Sequence, residues 1–268
     1  MANCLSMLPK LKSLSIMFKS LIAFPDQSRQ RPSPLPRAVL PTLTRISFQG
    51  DSEYLEELVF RIDAPLLVSL SLRFYDQPII DIRQLSQFIS RTENFGSLIR
   101  ALLDFGRNPC IFFRPTNNEM MGSNHRVWLS CSIVCDPTDE PLSSMAQICN
   151  QLSLILFNLK SLSICASSIE RWFQYGTDPV EWHGFFRPFT AVETLYVSKT
   201  LAPHVAPALE DLSRDPAMAV LLKLRWLQFG SSRESTCVNR FVTAREPSEF
   251  GHHITVEYDK KLPQFWNF

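Results

Sequence analysis

Glycine is scarce in this chain, with eight among 268 residues. No two stand close enough to write G-x-G-x-x-G or G-x-x-x-x-G-K, so a phosphate cradle of close-set backbone amides is excluded. A G-x-S-x-G nucleophile elbow and an H-E-x-x-H zinc helix are missing too. No apolar run approaches the roughly 20 residues of a membrane-spanning helix. The net charge of +1 supplies no general field toward nucleic acid or a membrane surface. Seven cysteines form an odd set without paired spacing, and there is no N-x-S/T sequon. Reduced thiols in the cytoplasm or nucleus are the expectation.

What the chain has is a nonapeptide that returns. LPKLKSLSI (8–16), LPTLTRISF (40–48), APLLVSLSL (64–72), LFNLKSLSI (156–164), FTAVETLYV (189–197) and LLKLRWLQF (221–229) align on Leu11, Leu43, Leu67, Leu159, Val192 and Leu224. The separations are 32, 24, 92, 33 and 32 residues. The 92-residue gap is near three periods, and CIFF (110–113) and VWLSCSIV (127–134) are its candidate degenerate copies. The first 25 residues carry three lysines and no acid, which suits a mitochondrial presequence. They also hold a repeat copy in full register, and the repeat reading is preferred.

Each nonapeptide ends in alternation, as in Leu14 and Ile16 against Ser13 and Ser15. A period of two marks a strand with one buried and one free face. Between copies the period becomes helical: Leu55, Leu58, Val59 and Ile62 behind a capping Asp51; Ile82, Leu85, Phe88 and Ile89; Leu142, Met145, Ala146 and Cys149; Val205, Ala208, Leu209 and Leu212; then Val238, Phe241 and Val242. A strand plus a one-faced helix cannot bury its apolar side alone, whereas stacked copies can. The L-x-x-L-x-L core is that of leucine-rich repeats. The fold class expected is α/β, an irregular leucine-rich-repeat solenoid with parallel strands on the concave side and amphipathic helices on the convex side. Residues 1–268 read as a single domain, with a proline-rich loop at 25–41, degenerate repeats at 108–135, and a capping helix and strand at 237–268.

The residues that could do chemistry are few. Cys131 and Cys135 share a strand face but sit about 13 Å apart, too far for a disulfide. They lack a second pair for a metal. His252 and His253 are adjacent and point to opposite sides of a strand. Glu181, Trp182 and His183 lie near Asp178 in a stretch rich in loop residues, and helix or loop packing accounts for them. Ser33 precedes Pro34 in the proline-rich loop and is a candidate phosphorylation site. No catalytic residue, cofactor or metal site is assigned, and the chain is not expected to be an enzyme.

The stretches LPTLTRISFQGDSEYLEELVFRIDAPLLVSLSLRF (40–74), QLSQFISRT (84–92), PFTAVETLYVSKTLAPHVAPALEDL (188–212) and RFVTAREPSEFGHHITVEY (240–258) resemble F-box/leucine-rich-repeat-like proteins of mushroom-forming fungi. The resemblance implies substrate recognition within a Skp–cullin–F-box ubiquitin ligase, the repeats holding a protein target. The first repeat begins at Leu8, so a Skp-type adaptor is implied only for a form with an upstream F-box. The alternative is a free-standing repeat scaffold with no ubiquitin role, and a third reading is an enzyme with an unrecognised site. Alternation places the partner-binding candidates on the free strand face: Arg45, Gln49, Arg73, Tyr196, Trp226 and Gln228. Arg, Tyr and Trp offer large contact area with a polar handle.

Overall fold

The structure, a computed structural model, describes residues 7–18, 37–75, 80–115, 127–134, 141–167, 179–214, 220–245 and 253–261. Each nonapeptide is a tight turn followed by a strand. The amide of its fourth residue donates to the carbonyl of its first: Leu11 to Leu8, Leu43 to Leu40, Leu67 to Ala64, Leu159 to Leu156, Val192 to Phe189 and Leu224 to Leu221. The strands that follow are β1 (Ser13–Met17), β3 (Arg45–Gly50), β5 (Ser69–Phe74), β9 (Ser161–Cys165), β10 (Thr194–Val197) and β11 (Trp226–Phe229). The other described strands are β2 (Ala38–Val39), β4 (Ile62–Asp63), β6 (Leu98–Asp104), β7 (Cys110–Pro115), β8 (Trp128–Ile133) and β12 (Thr255–Glu257).

Ten of these form one open sheet in the order β1-β3-β5-β8-β7-β6-β9-β10-β11-β12, while β2 and β4 pair separately. Every pairing in the large sheet is parallel except those of β7. The register keeps like positions level. Leu14, Ile46, Leu70 and Leu129 form one apolar row, and Leu162, Leu195, Leu227 and Val256 continue it beyond the middle. Ile46, Leu70, Leu162, Leu195 and Leu227 are all within the core. Each such side chain contributes about 1.5–3 kcal/mol by leaving water.

The middle of the sheet departs from simple repetition. The expected copy at CIFF does not run parallel with the other strands, because β7 is antiparallel to both neighbours. It follows β6 after only residues 105–109, and a parallel crossover needs a dozen or more. VWLSCSIV forms β8, which lies parallel to β5. The true copy in the gap is FGSLIRALL (95–103). Leu98 donates to Phe95 as the fourth residue to the first, and β6 pairs with β9 in the same register as the other copies. Leu102 puts an apolar residue where other copies place serine or another polar residue, which hides the alternation.

Helices cover the apolar face. They are α1 (Ser52–Arg61), α2 (Arg83–Ser90), α3 (Pro141–Gln151), the short α4 (Ser153–Leu156), α5 (Pro179–Phe186), α6 (Ala202–Arg214) and α7 (Ser235–Arg245). α1 packs on α2, α2 on α4, α3 on α4 and α5, α5 on α6, and α6 on α7. Leu55, Leu58 and Val59 of α1 and Leu85, Phe88 and Ile89 of α2 are buried as the helical spacing requires. Asp51 holds the N-cap position of α1, yet its side chain makes no capping bond. The start of α2 is capped from outside: Glu56 accepts from the amides of Gln84 and Leu85, each at 2.7 Å. Burial raises the Glu56 carboxyl above its ordinary pKa despite these two amides.

α5 contains the stretch expected to be helix or loop packing. Trp182, Phe185 and Phe186 are fully buried, and Phe105 meets both Trp182 and Phe185 edge-on. Within the proline-rich stretch only residues 37–41 are described, and they include β2. The expected C-terminal cap corresponds to α7 and β12, with 246–252 and 262–268 outside the described residues. Among the described residues no helix is long and apolar enough to cross a membrane.

Two consequences can be measured. The amide of Gly230 donates to the Val197 carbonyl at 2.8 Å, and a Cβ there would strike the backbone nitrogen of Lys199. Gly230→Ala is expected to lower stability by about 1–3 kcal/mol in a urea titration, and an unchanged midpoint would refute this packing. Glu210 of α6 accepts from Arg240 of α7 at 3.0 Å, and that bond first, with Arg214 adding, holds its carboxyl below the usual 4.5. Stability from this contact is present above pH 4.5 and lost as pH falls through the lower folded value. Protection factors of α7 amides, measured against their intrinsic exchange rates, should therefore fall as pH drops through the folded value, and Glu210→Gln should abolish that fall.

Candidate binding face

The residues opposite the apolar rows form a second set of rows on the free face. One level contains Ser13, Arg45, Ser69 and Trp128 on the N-terminal side. Arg100, Ser161, Thr194, Trp226 and Thr255 occupy it on the C-terminal side. Arg114 pairs with Arg100 and joins the two halves. The next level contains Ser15, Ser47, Ser71 and Ser130, then Phe112 and Leu102, then Ser163, Tyr196, Gln228 and Glu257. The Ser130 hydroxyl reaches that of Ser71 at 3.3 Å. Small side chains thus floor the N-terminal half, and an apolar pair marks the inserted hairpin.

The six candidates from alternation do not share one environment. Arg45 and Arg73 are exposed, at the two ends of neighbouring strands. Trp226 is 46% exposed, which is unusual for an indole, and its ring is open to a partner. Gln49 is half-buried and donates to the Tyr75 hydroxyl at 3.3 Å, which itself donates to the Phe18 carbonyl. Gln228 donates to Glu257 at 2.8 Å. Tyr196 is buried at 4% exposure, its hydroxyl donating to the Lys260 carbonyl at 3.4 Å, and burial raises its pKa. Four positions therefore present or half-present a polar group, while Tyr196 packs and Gln228 is engaged within the sheet.

Arg100, Arg114 and Trp128 were not among the sequence candidates, although they stand level with Arg45 and Trp226. The signal that could have found them is the spacing of Leu98, 31 residues after Leu67, which restores the period. Asp104, Cys110 and Cys165 also meet on this face in register. Asp104 accepts from the Ser167 amide at 2.8 Å. Cys110 and Cys165 are two strands apart, about 9.6 Å, beyond disulfide reach. Burial, with Asp104 adding, pushes the Cys110 thiol up to about 12 and raises Cys165 as well. Cys131 and Cys149 are buried with raised thiol pKa values, burial being the main cause.

Among the described residues no group of three His, Cys, Asp or Glu side chains could hold a metal ion. Cys135, His252, Asp178 and Ser33 lie outside the described residues. Glu181 and Trp182 hold partners within the protein, and Trp182 is a core side chain. The groups this face exposes or half-exposes are guanidinium forks and indole rings, while Ser69, Ser130 and Ser163 beneath them are buried.

Comparison of the chain with protein-family models, curated protein sequences and solved structures finds no match to any of them.

The thiol environment predicts a labelling pattern. Iodoacetamide at pH 8 should leave Cys110, Cys131, Cys149 and Cys165 unmodified in the folded protein, since the thiolate is the reacting form. Peptide mass spectrometry showing rapid alkylation of Cys131 or Cys149 without denaturant would contradict their burial.

Proposed function

We propose that this chain is a non-catalytic, protein-binding repeat domain. It reads as an irregular leucine-rich-repeat solenoid whose free strand face is the concave, partner-holding side. The observation that carries the reading is the level row of exposed or half-exposed Arg and Trp side chains crossing the sheet, from Arg45 through Trp128 to Trp226. Eight strands at their ordinary spacing make that row about 34 Å long, enough for a polypeptide partner. The recurrent turn-plus-strand unit is what an L-x-x-L-x-L core builds. The resemblance to F-box/leucine-rich-repeat-like proteins extends the proposal to target recognition for a Skp–cullin–F-box ubiquitin ligase. A cytoplasmic or nuclear location accompanies that role.

The test compares proteins captured from cells by the tagged chain and by the triple variant Arg45→Ala, Arg73→Ala, Trp226→Ala. A target lost about tenfold or more from the variant is expected, as for hot-spot residues. The same target should have a longer cellular half-life when the variant replaces the natural chain. Undiminished capture would overturn the binding face. Loss of capture with an unchanged half-life would overturn the ubiquitin role and leave a free-standing scaffold.

A further inference from the structure

We propose that the N-terminal margin of the free strand face docks an extended acidic polypeptide segment, rich in aspartate or glutamate, running across the strands. The inference rests on the protein-binding reading above and names the chemistry of the partner. It follows from how charge is distributed over levels of the sheet. The chain as a whole carries a net charge of +1. The strand-start level just described and the residue beside it on the same margin give two residues on each of the ten strands. These hold six cations, Lys12, Arg45, Arg100, Arg114, Lys160 and Arg225, against the single carboxylate of Glu193. The other margin of the same face has no such excess, since Arg73, Lys199 and Lys260 there stand beside Asp104 and Asp259.

Internal pairing engages part of the basic strip and leaves the rest open. Lys160 is bonded to Glu193 at 2.7 Å, but both side chains remain substantially exposed. Lys12, Arg45 and Arg225 are exposed. Arg100 and Arg114 hold contacts of their own and still add two positive charges at the centre. The cations are spread along the row, not clustered at one point. That spacing suits a chain of carboxylates better than a single anion. A dodecapeptide in extended form covers about 40 Å, close to the width of the sheet. Trp226, nearly half exposed at one end of the row, supplies an apolar anchor of the kind that fixes register. Charge complementarity of this sort steers association and weakens with salt.

The experiment uses the full chain and a fluorescein-labelled dodecapeptide of alternating glutamate and glycine. Its glutamine counterpart and a twenty-nucleotide oligothymidine serve as comparisons. Fluorescence anisotropy should show binding of the glutamate peptide and not of the glutamine one. Affinity should fall about tenfold or more in Arg45→Glu/Arg225→Glu and between about 50 and about 300 mM salt. Lys199→Glu, on the other margin, should bind as the natural chain does. Matching thermal melts establish that the variants are folded. Equal binding by the double variant, or no binding of the glutamate peptide, overturns the proposal. Tighter binding of the oligothymidine also overturns it, in favour of nucleic acid. If the peptide fails while target capture still depends on Arg45 and Trp226, the acidic partner is wrong and the binding face stands.

Discussion

One main-chain contact sets the rest of the architecture. At four junctions the carbonyl just ahead of a strand accepts two amides from the next copy. Lys12 accepts from Thr44 and Arg45, Thr44 from Val68 and Ser69, Lys160 from Glu193 and Thr194, and Glu193 from Arg225 and Trp226. With the turn bond before it, this contact leaves each strand one register against its predecessor. A shift by one residue would carry every leucine of that strand to the solvent side. The apolar rows, the helix layer above them and the charged row beneath all inherit their alignment from it. Side chains reinforce the same junctions. Arg91 bonds the carbonyls of Val59 and Ile62 and stacks on Phe88, while Arg245 bonds those of Val220 and Leu221 and stacks on Phe241. Burial at that site brings the Arg245 guanidinium down to about 10. Its contact with Leu221 matters locally, because that residue holds a positive φ of 54°.

Much of this was legible in the chain because regular copies advertise themselves through two periods at once. Of the six aligned anchors, Leu43, Leu67, Leu159, Val192 and Leu224 are buried and Leu11 is half-buried. The helices at 52–61, 83–90, 141–151, 202–214 and 235–245 follow from three- and four-residue spacing of apolar side chains. What escaped did so for physical reasons. α5 is only eight residues long, and its buried set, Trp182, Phe185 and Phe186, sits beside Pro179 and Gly184, so a short helical stripe was indistinguishable from loop packing in the sequence. β6 lost its alternation where Leu102 faces the hairpin. The antiparallel course of β7 depends on a short turn and on pairing partners distant in sequence, which a local pattern does not encode.

The contact surface was legible only in part. Alternation assigns a face but not an exposure. Arg45, Arg73 and Trp226 stand out from the sheet, whereas Tyr196 occupies an equivalent position and is covered. The difference lies in neighbours reaching from other parts of the chain, such as Lys260, and position within a nonapeptide does not report them. The positive row is a property of the assembled sheet in the same way. Its cations are contributed by segments from Lys12 to Arg225, and no window of the sequence is notably basic across them.

The inserted hairpin also gives the chain a history during synthesis. β5 has no neighbour on its far side until β8 arrives, because two strands, β8 and β7, separate it from β6 in the sheet. Between Phe74 at the end of β5 and Ile133 at the end of β8 the ribosome must add 59 residues. At the usual elongation rates that is about 3–12 s. Through that interval the N-terminal half presents an unpaired strand edge, bordered by Leu70 and Leu72 on its apolar side, of the kind that recruits other nascent chains. The tier that begins at β9 faces no such wait, since β6 is already in place to receive it.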